Sequence, residues 1–257
     1  MHVRKLFPCV VVIPILLTAC GDKPNALAEP PPRAAMTQPT GDASPTTRPR
    51  DPWVFRSVLD EQARMVTIAL SDRLWIAYDA QTCSLHKGWD GGVKFTGGVY
   101  DARHGPQPQS QGAVYFATDG AAWMVETDGR LQPVTSRYRG YQLRDDGVVL
   151  RYTIDVAGAP GAVEVEERPE VDASGQALAL RRTLRVTGLG DAQRLALVLP
   201  AGDARVAGTD ANGPAAGDRV AGEPTLIEAP QGRAALLFSG NGSATVTMNL
   251  NPKDAAK

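Results

Sequence analysis

Between positions 53 and 104 the chain gathers the side chains best suited to hold a ligand: Trp53, Arg56, Trp75, Tyr78, Lys87, Trp89, Tyr100 and His104. An aromatic ring stacks on the apolar side of a pyranose while Arg, Lys and His hydrogen-bond its hydroxyls, so this combination points to carbohydrate. Tryptophan also fills sandwich cores, which leaves an interior role open for Trp53, Trp75 and Trp89. His104 stands beside Gly105, Pro106 and Pro108. In that restrained setting an imidazole can face a ligand or cap a backbone carbonyl. No Gly-x-Ser-x-Gly elbow, phosphate loop, dinucleotide fingerprint, His-x-His or Cys-x-x-Cys occurs. The sequence therefore assigns no catalytic residue and implies no metal or cofactor. A formal net charge of -1 without a long charged block argues against a nucleic-acid partner.

Location is written at the start of the chain. Arg4 and Lys5 precede an apolar stretch, Leu6 to Leu17, that is too short to span a bilayer but suits a secretory signal. Leu17-Thr18-Ala19-Cys20 closes it with the small-residue pattern that precedes a lipid-modified cysteine. Residues 1–19 are thus expected to leave as a lipoprotein signal peptide. Cys20 then becomes the acylated N-terminus, carrying diacylglycerol and an amide-linked chain such as palmitate, enough for stable anchoring. The expected place is the bacterial cell envelope, on the inner or outer membrane, facing the periplasm or the exterior. Cys9 falls in the signal, so Cys83 is the one thiol left, expected to be buried and inert.

From Pro24 to Pro52 the chain carries eight of its twenty prolines and very few large apolar residues. Such a stretch cannot offset the entropy of ordering, so residues 20–51 are expected to form a semi-stiff disordered tether. The folded domain is expected over 52–252, where apolar alternation and turn residues recur at short intervals with almost no helical period. Asp119-Gly120, Asp128-Gly129 and Asp146-Gly147 predict tight hairpins, because Asp-Gly supplies the positive backbone angles these require. Trp53 to Gln62, where Val54, Val58 and Leu59 recur at helical spacing, reads first as a helical turn and nearly as well as an edge strand, and Ala201 to Gly222 as a meandering surface segment. The predicted fold is all-β, a large antiparallel two-sheet β-sandwich.

Residues 52–108 resemble the N-terminal module of large bacterial exported proteins that also carry c-type cytochrome domains and quinone-type sugar dehydrogenase propellers. The likeness rests on Pro52-Trp53-Val54-Phe55-Arg56-Ser57-Val58-Leu59-Asp60, Leu74-Trp75-Ile76-Ala77-Tyr78-Asp79, Leu85-His86-Lys87-Gly88-Trp89, Gly97-Gly98-Val99-Tyr100 and His104-Gly105-Pro106-Gln107-Pro108. Tyr141 to Pro200 is similar in architecture to a galactose-mutarotase-type supersandwich. The chain lacks the Cys-x-x-Cys-His of a covalent haem site, so the resemblance implies a partner that is an exported cytochrome or dehydrogenase, and no redox chemistry in the chain itself. The leading expectation is a membrane-anchored, non-catalytic module that binds carbohydrate or such a partner. The alternative is a sugar epimerase or lyase on a mutarotase-like sandwich with His104 as acid or base; the resemblance implies an opposing glutamate, for which Glu126, Glu164 and Glu166 are the options.

Overall fold

A computed structural model describes residues 51–95, 107–172, 177–190, 192–200, 204–207 and 224–251. Cys20, the signal peptide and the tether up to residue 50, together with Tyr100 and His104, lie outside the described residues. The strands in chain order are β1 (Trp53–Leu59), β2 (Gln62–Ser71), β3 (Leu74–Asp79), β4 (Ser84–Trp89), β5 (Gly92–Lys94), β6 (Gln109–Gln111), β7 (Val114–Ala117), β8 (Trp123–Thr127) and β9 (Arg130–Pro133), then β10 (Thr135–Arg144), β11 (Gly147–Asp155), β12 (Val163–Asp172), β13 (Ala179–Thr187), β14 (Arg194–Val198), β15 (Ala204–Ala207), β16 (Thr225–Ala229), β17 (Arg233–Ser239) and β18 (Gly242–Asn249). Among the described residues there is no α-helix.

The strands build the all-β sandwich that the period-two patterning anticipates. Three large antiparallel sheets run β1-β2-β3-β4-β7, β10-β11-β12-β13-β18-β15 and β16-β17-β14-β8-β9, with a small β5-β6 sheet beside them. Their apolar faces share one core. Val66, Ile68, Leu74 and Ile76 come from the first sheet, Leu150, Ile154, Val165 and Leu184 from the second, Trp123, Leu197 and Phe238 from the third. The six-stranded sheet is therefore faced by two five-stranded sheets rather than by one continuous sheet.

Turn chemistry explains much of the topology. Asp128 (φ 51°) and Gly129 (φ 74°) close the β8-β9 hairpin as the dipeptide predicts; β10 and β11 also form a tight hairpin, but its turn residues are Asp145 and Asp146, with Gly147 already paired to Arg144. Asp119-Gly120 does something else. β7 pairs with β4 and β8 with β14, so this dipeptide carries the chain from one sheet to another instead of closing a hairpin. The Ala122 N–H donates to Ser84 Oγ and the Val198 N–H to the Ala122 carbonyl, which fixes the crossing. Trp53–Leu59 is an edge strand, and its turn into β2 is made by Asp60 (φ 48°) and Glu61 (φ 67°) with no glycine to signal it. Within the expected surface segment, Ala204–Ala207 is a strand paired with β18. Cys83 is buried as expected, and that burial pushes its thiol up to about 11.

Candidate functional site

Strand alternation sorts the sequence-selected residues onto different faces. Trp53, Trp75 and Trp89 lie on the side of the first sheet turned away from the main core, where they form a second apolar layer with Leu59, Met65, Val93, Phe55 and Phe95. The rings pack edge and tilt, with Trp53 and Trp75 centroids 6.1 Å apart at 80° and Trp75 and Trp89 also 6.1 Å apart. Trp89 is fully buried and donates Nε1–H to the Gly92 carbonyl at 2.8 Å, and Trp75 is buried beside it. Trp53 keeps part of its surface. Arg56, exposed at the sandwich edge, sets its guanidinium 5.5 Å from the Tyr138 ring centroid. Tyr78 points the opposite way, into the main core. The selected residues that are described thus do not share one ligand face.

Lys87 belongs to a polar clasp at the edge of the second apolar layer. Its Nζ donates to Asp60 Oδ2 at 2.7 Å and to Ser110 Oγ at 2.6 Å, and lies 5.9 Å from the Trp89 ring centroid. Ser110 donates its backbone N–H to Asp60 Oδ1 at 2.8 Å and its hydroxyl to Oδ2 at 2.7 Å. The clasp fastens β6 to the β1-β2 turn and so holds the β5-β6 hairpin against the aromatic layer. Burial pushes the Asp60 carboxyl up, but hydrogen bonds from Lys87 and Ser110 outweigh it and leave the group below its ordinary value. A depressed carboxylate stabilises the fold above its unfolded value of about 4, and that contribution is lost as pH falls through the lower folded value. Asp60→Asn should cost about 1–3 kcal/mol at pH 7, because it leaves Lys87 without its counter-charge. Urea midpoints of wild type and variant should converge as pH drops from 5 to 3, and a pH-independent gap would refute this account of the clasp.

The main core contains a charged network that the sequence did not single out. Glu167 on β12 accepts Arg182 Nε–H at Oε1 (2.6 Å) and the Tyr152 hydroxyl at Oε2 (2.8 Å), and the Tyr78 hydroxyl also donates to Oε1. Glu167 and Arg182 are both essentially inaccessible to solvent. Burial and the Glu167 charge drive both phenols well above their usual value. For Arg182 burial works against the charge, yet Glu167 and the tyrosines outweigh it and hold the guanidinium protonated. Beside Arg182 there is a cavity of only about 10 Å³, lined also by Leu85, Thr118 and Arg233, room for one water and no substrate. The network ties the first sheet to the second; it is structural. His86, on β4, is bound down as well, with Nδ1–H donating to the Thr118 carbonyl at 2.7 Å.

Open space of mixed polar and apolar lining lies on the outer face of the six-stranded sheet. A cavity of about 600 Å³ is lined by the polar residues Arg139, Arg151, Thr153, Glu164 and Glu166 together with Tyr152, Ala162 and Val165. Arg151 and Glu166 face each other across β11 and β12 and pair at 2.8 Å, and Thr153 stands opposite Glu164. Arg139 Nε–H donates to Thr153 Oγ1 at 3.2 Å. The Arg151 and Glu166 side chains are 50% and 37% exposed, so their pairing adds little to stability and its donors and acceptors stay exchangeable. The sequence offered a signal here: outward positions of three consecutive strands alternate Arg, Thr and Glu. Among the described residues no three His, Cys, Asp or Glu side chains cluster as metal ligands, and no helix is long and apolar enough to cross a membrane.

A family model described as a domain of unknown function (DUF6797) matches residues 76–158, from β3 through β11. No curated protein and no solved structure matches the chain.

Proposed function

We propose that the domain is a non-catalytic carbohydrate-binding module, held at the bacterial envelope by lipid on Cys20, whose ligand lies in the Arg139-Arg151-Glu166 trough. The trough is the observation that carries this reading. A polyhydroxylated ligand needs donors and acceptors in fixed alternation, and here guanidinium, hydroxyl and carboxylate groups stand on adjacent paired strands, where the backbone cannot shift. Its volume falls within the range of small-ligand sites. The signal pattern before Cys20 and the proline-rich tether support the location.

The test is saccharide binding by the acylated protein in detergent micelles, on an array of envelope glycans. Arg151→Ala and Glu166→Gln should each weaken binding about tenfold or more while shifting stability by no more than about 0.5 kcal/mol. Absence of binding to any glycan, or unchanged binding by both variants, would remove the carbohydrate reading. Failure of Cys20→Ser to abolish palmitate labelling would remove the anchor. The enzyme alternative draws on Glu164 and Glu166, two carboxylates in one trough. It predicts conversion of a bound sugar, which the binding reading does not.

A further inference from the structure

We infer that the protein pairs with a second copy of itself through the outer edge of β10, in a two-fold arrangement centred on Gln142. β10 is the terminal strand of the six-stranded sheet, and among the described residues nothing pairs with its outer edge. At ten residues it is long for an edge and holds no proline, so it presents a row of backbone donors and acceptors. The irregularity between Tyr138 and Gly140 breaks its register, and Asp145-Asp146 turns the chain into β11, which leaves Gly140–Arg144 as the regular accepting stretch. Three large apolar side chains are exposed among the described residues, and two of them, Tyr141 (38%) and Leu143 (36%), stand in that stretch. Their register partners Leu150 and Val148 belong to the main core. The apolar face of the sheet therefore runs out uncovered to this edge.

Self-complementarity selects the occupant. Antiparallel pairing of Gly140–Arg144 with its own copy over its full length has one register, with Gln142 opposite the partner's Gln142. Tyr141 then faces the partner's Leu143, and Leu143 the partner's Tyr141, so the exposed apolar side chains meet as two cross-strand pairs on one face. On the other face the two Gln142 amides meet, each with donors and an acceptor to offer. Arg144 falls opposite the partner's Gly140, and there is room for it, since a Cβ built on Gly140 has nothing within 4 Å. No arginine opposes an arginine, and Arg144 keeps its own counter-charge in Asp146, on which it acts across the turn. A foreign strand of either charge gains little by comparison, because the stretch holds a single charged side chain. An axis through Gln142 closes the assembly at two copies and leaves both outer sheet faces on one side. This inference is independent of the saccharide reading, since Gly140–Arg144 lies outside the trough.

The test is oxidative cross-linking of the acylated protein in micelles, comparing Gln142→Cys with Arg137→Cys, a site on the same strand far from the axis. Cβ atoms of directly opposed residues stand about 5 Å apart, so Gln142→Cys should form a covalent dimer about tenfold faster than Arg137→Cys. Buried Cys83 stays out of the reaction. A mixture of Tyr141→Cys and Leu143→Cys should cross-link between the two variants faster than either does with itself, which reads the register. Leu143→Lys should weaken the dimer about tenfold in sedimentation equilibrium. Adding Tyr141→Glu should restore it, because each new lysine then faces a glutamate of the other copy, a recovery that loss of folding cannot produce. Equal cross-linking at 142 and 137, a monomer at every protein concentration, or no recovery in the double variant would overturn the inference.

Discussion

Arg182→Met should destabilise the domain by about 3–5 kcal/mol, a large share of the 5–15 kcal/mol typical of a folded domain. The variant keeps much of the volume and removes the guanidinium. Glu167 is then left in the core between β3, β11 and β12 with only the Tyr78 and Tyr152 hydroxyls as donors. Desolvating an uncompensated carboxylate costs more than the ion pair contributes, so the loss reflects the stranded partner rather than the strength of the bond. It follows that removing both charges should be milder than removing one. Glu167→Leu combined with Arg182→Met should recover most of the loss. Adding Tyr78→Phe and Tyr152→Phe should recover more, because the phenols would otherwise lack their acceptor. Urea unfolding at pH 7 reads all four states. A single Arg182→Met variant within about 1 kcal/mol of wild type would show that the pair is not the brace between the sheets.

That network also shows what period-two patterning reveals and what it hides. The strands Val163–Asp172 and Ala179–Thr187 are plain in the sequence because Val163, Val165, Leu180, Leu184 and Val186 alternate with polar residues. The same alternation places Glu167 and Arg182 at core-facing positions. Two opposite charges at inward positions of neighbouring strands were the available sign of a buried pair. Which strands are neighbours, however, depends on pairing across the chain, and Tyr78 joins them from 89 residues away. The clasp was hidden for a similar reason: Asp60, Lys87 and Ser110 are scattered in sequence, and their meeting depends on a turn made by Asp60 and Glu61 without the usual glycine. Asp119-Gly120 misled in the opposite sense. Its backbone preference is met, with Gly120 at φ 84°, but which sheet the next strand joins is decided by burial of Trp123 in the shared core, and no local turn preference reports that.

The aromatic concentration between 53 and 89 is where composition and structure separate most. The sequence marks Trp53, Trp75 and Trp89 as unusual for so short a stretch, and both a sugar platform and a core predict that pattern. The fold gives the first sheet two apolar faces: one in the main core, the other under the β5-β6 hairpin. A strand covered on both faces needs apolar side chains at successive positions, as Leu74-Trp75-Ile76-Ala77-Tyr78 supplies, and β3 is buried along nearly its whole length. The aromatics thus brace the first sheet from its second face.

Trp89→Ala decides between the two roles. It should cost about 3–5 kcal/mol, since the indole is fully buried among Trp75, Val93 and neighbouring apolar groups and its removal opens a cavity that the paired strands cannot close. Trp89→Phe should cost less, about 1–2 kcal/mol, with the packing largely kept and the Gly92 carbonyl losing its Nε1–H donor. Under conditions where Trp89→Ala remains folded, its saccharide Kd should equal that of wild type, while Arg151→Ala changes Kd and leaves the unfolding midpoint in place. The two variants therefore fail in opposite columns, one in stability and the other in affinity. A folded Trp89→Ala protein with a weakened Kd and an unshifted midpoint would return the ligand to the aromatic side of the sandwich and take it away from the trough.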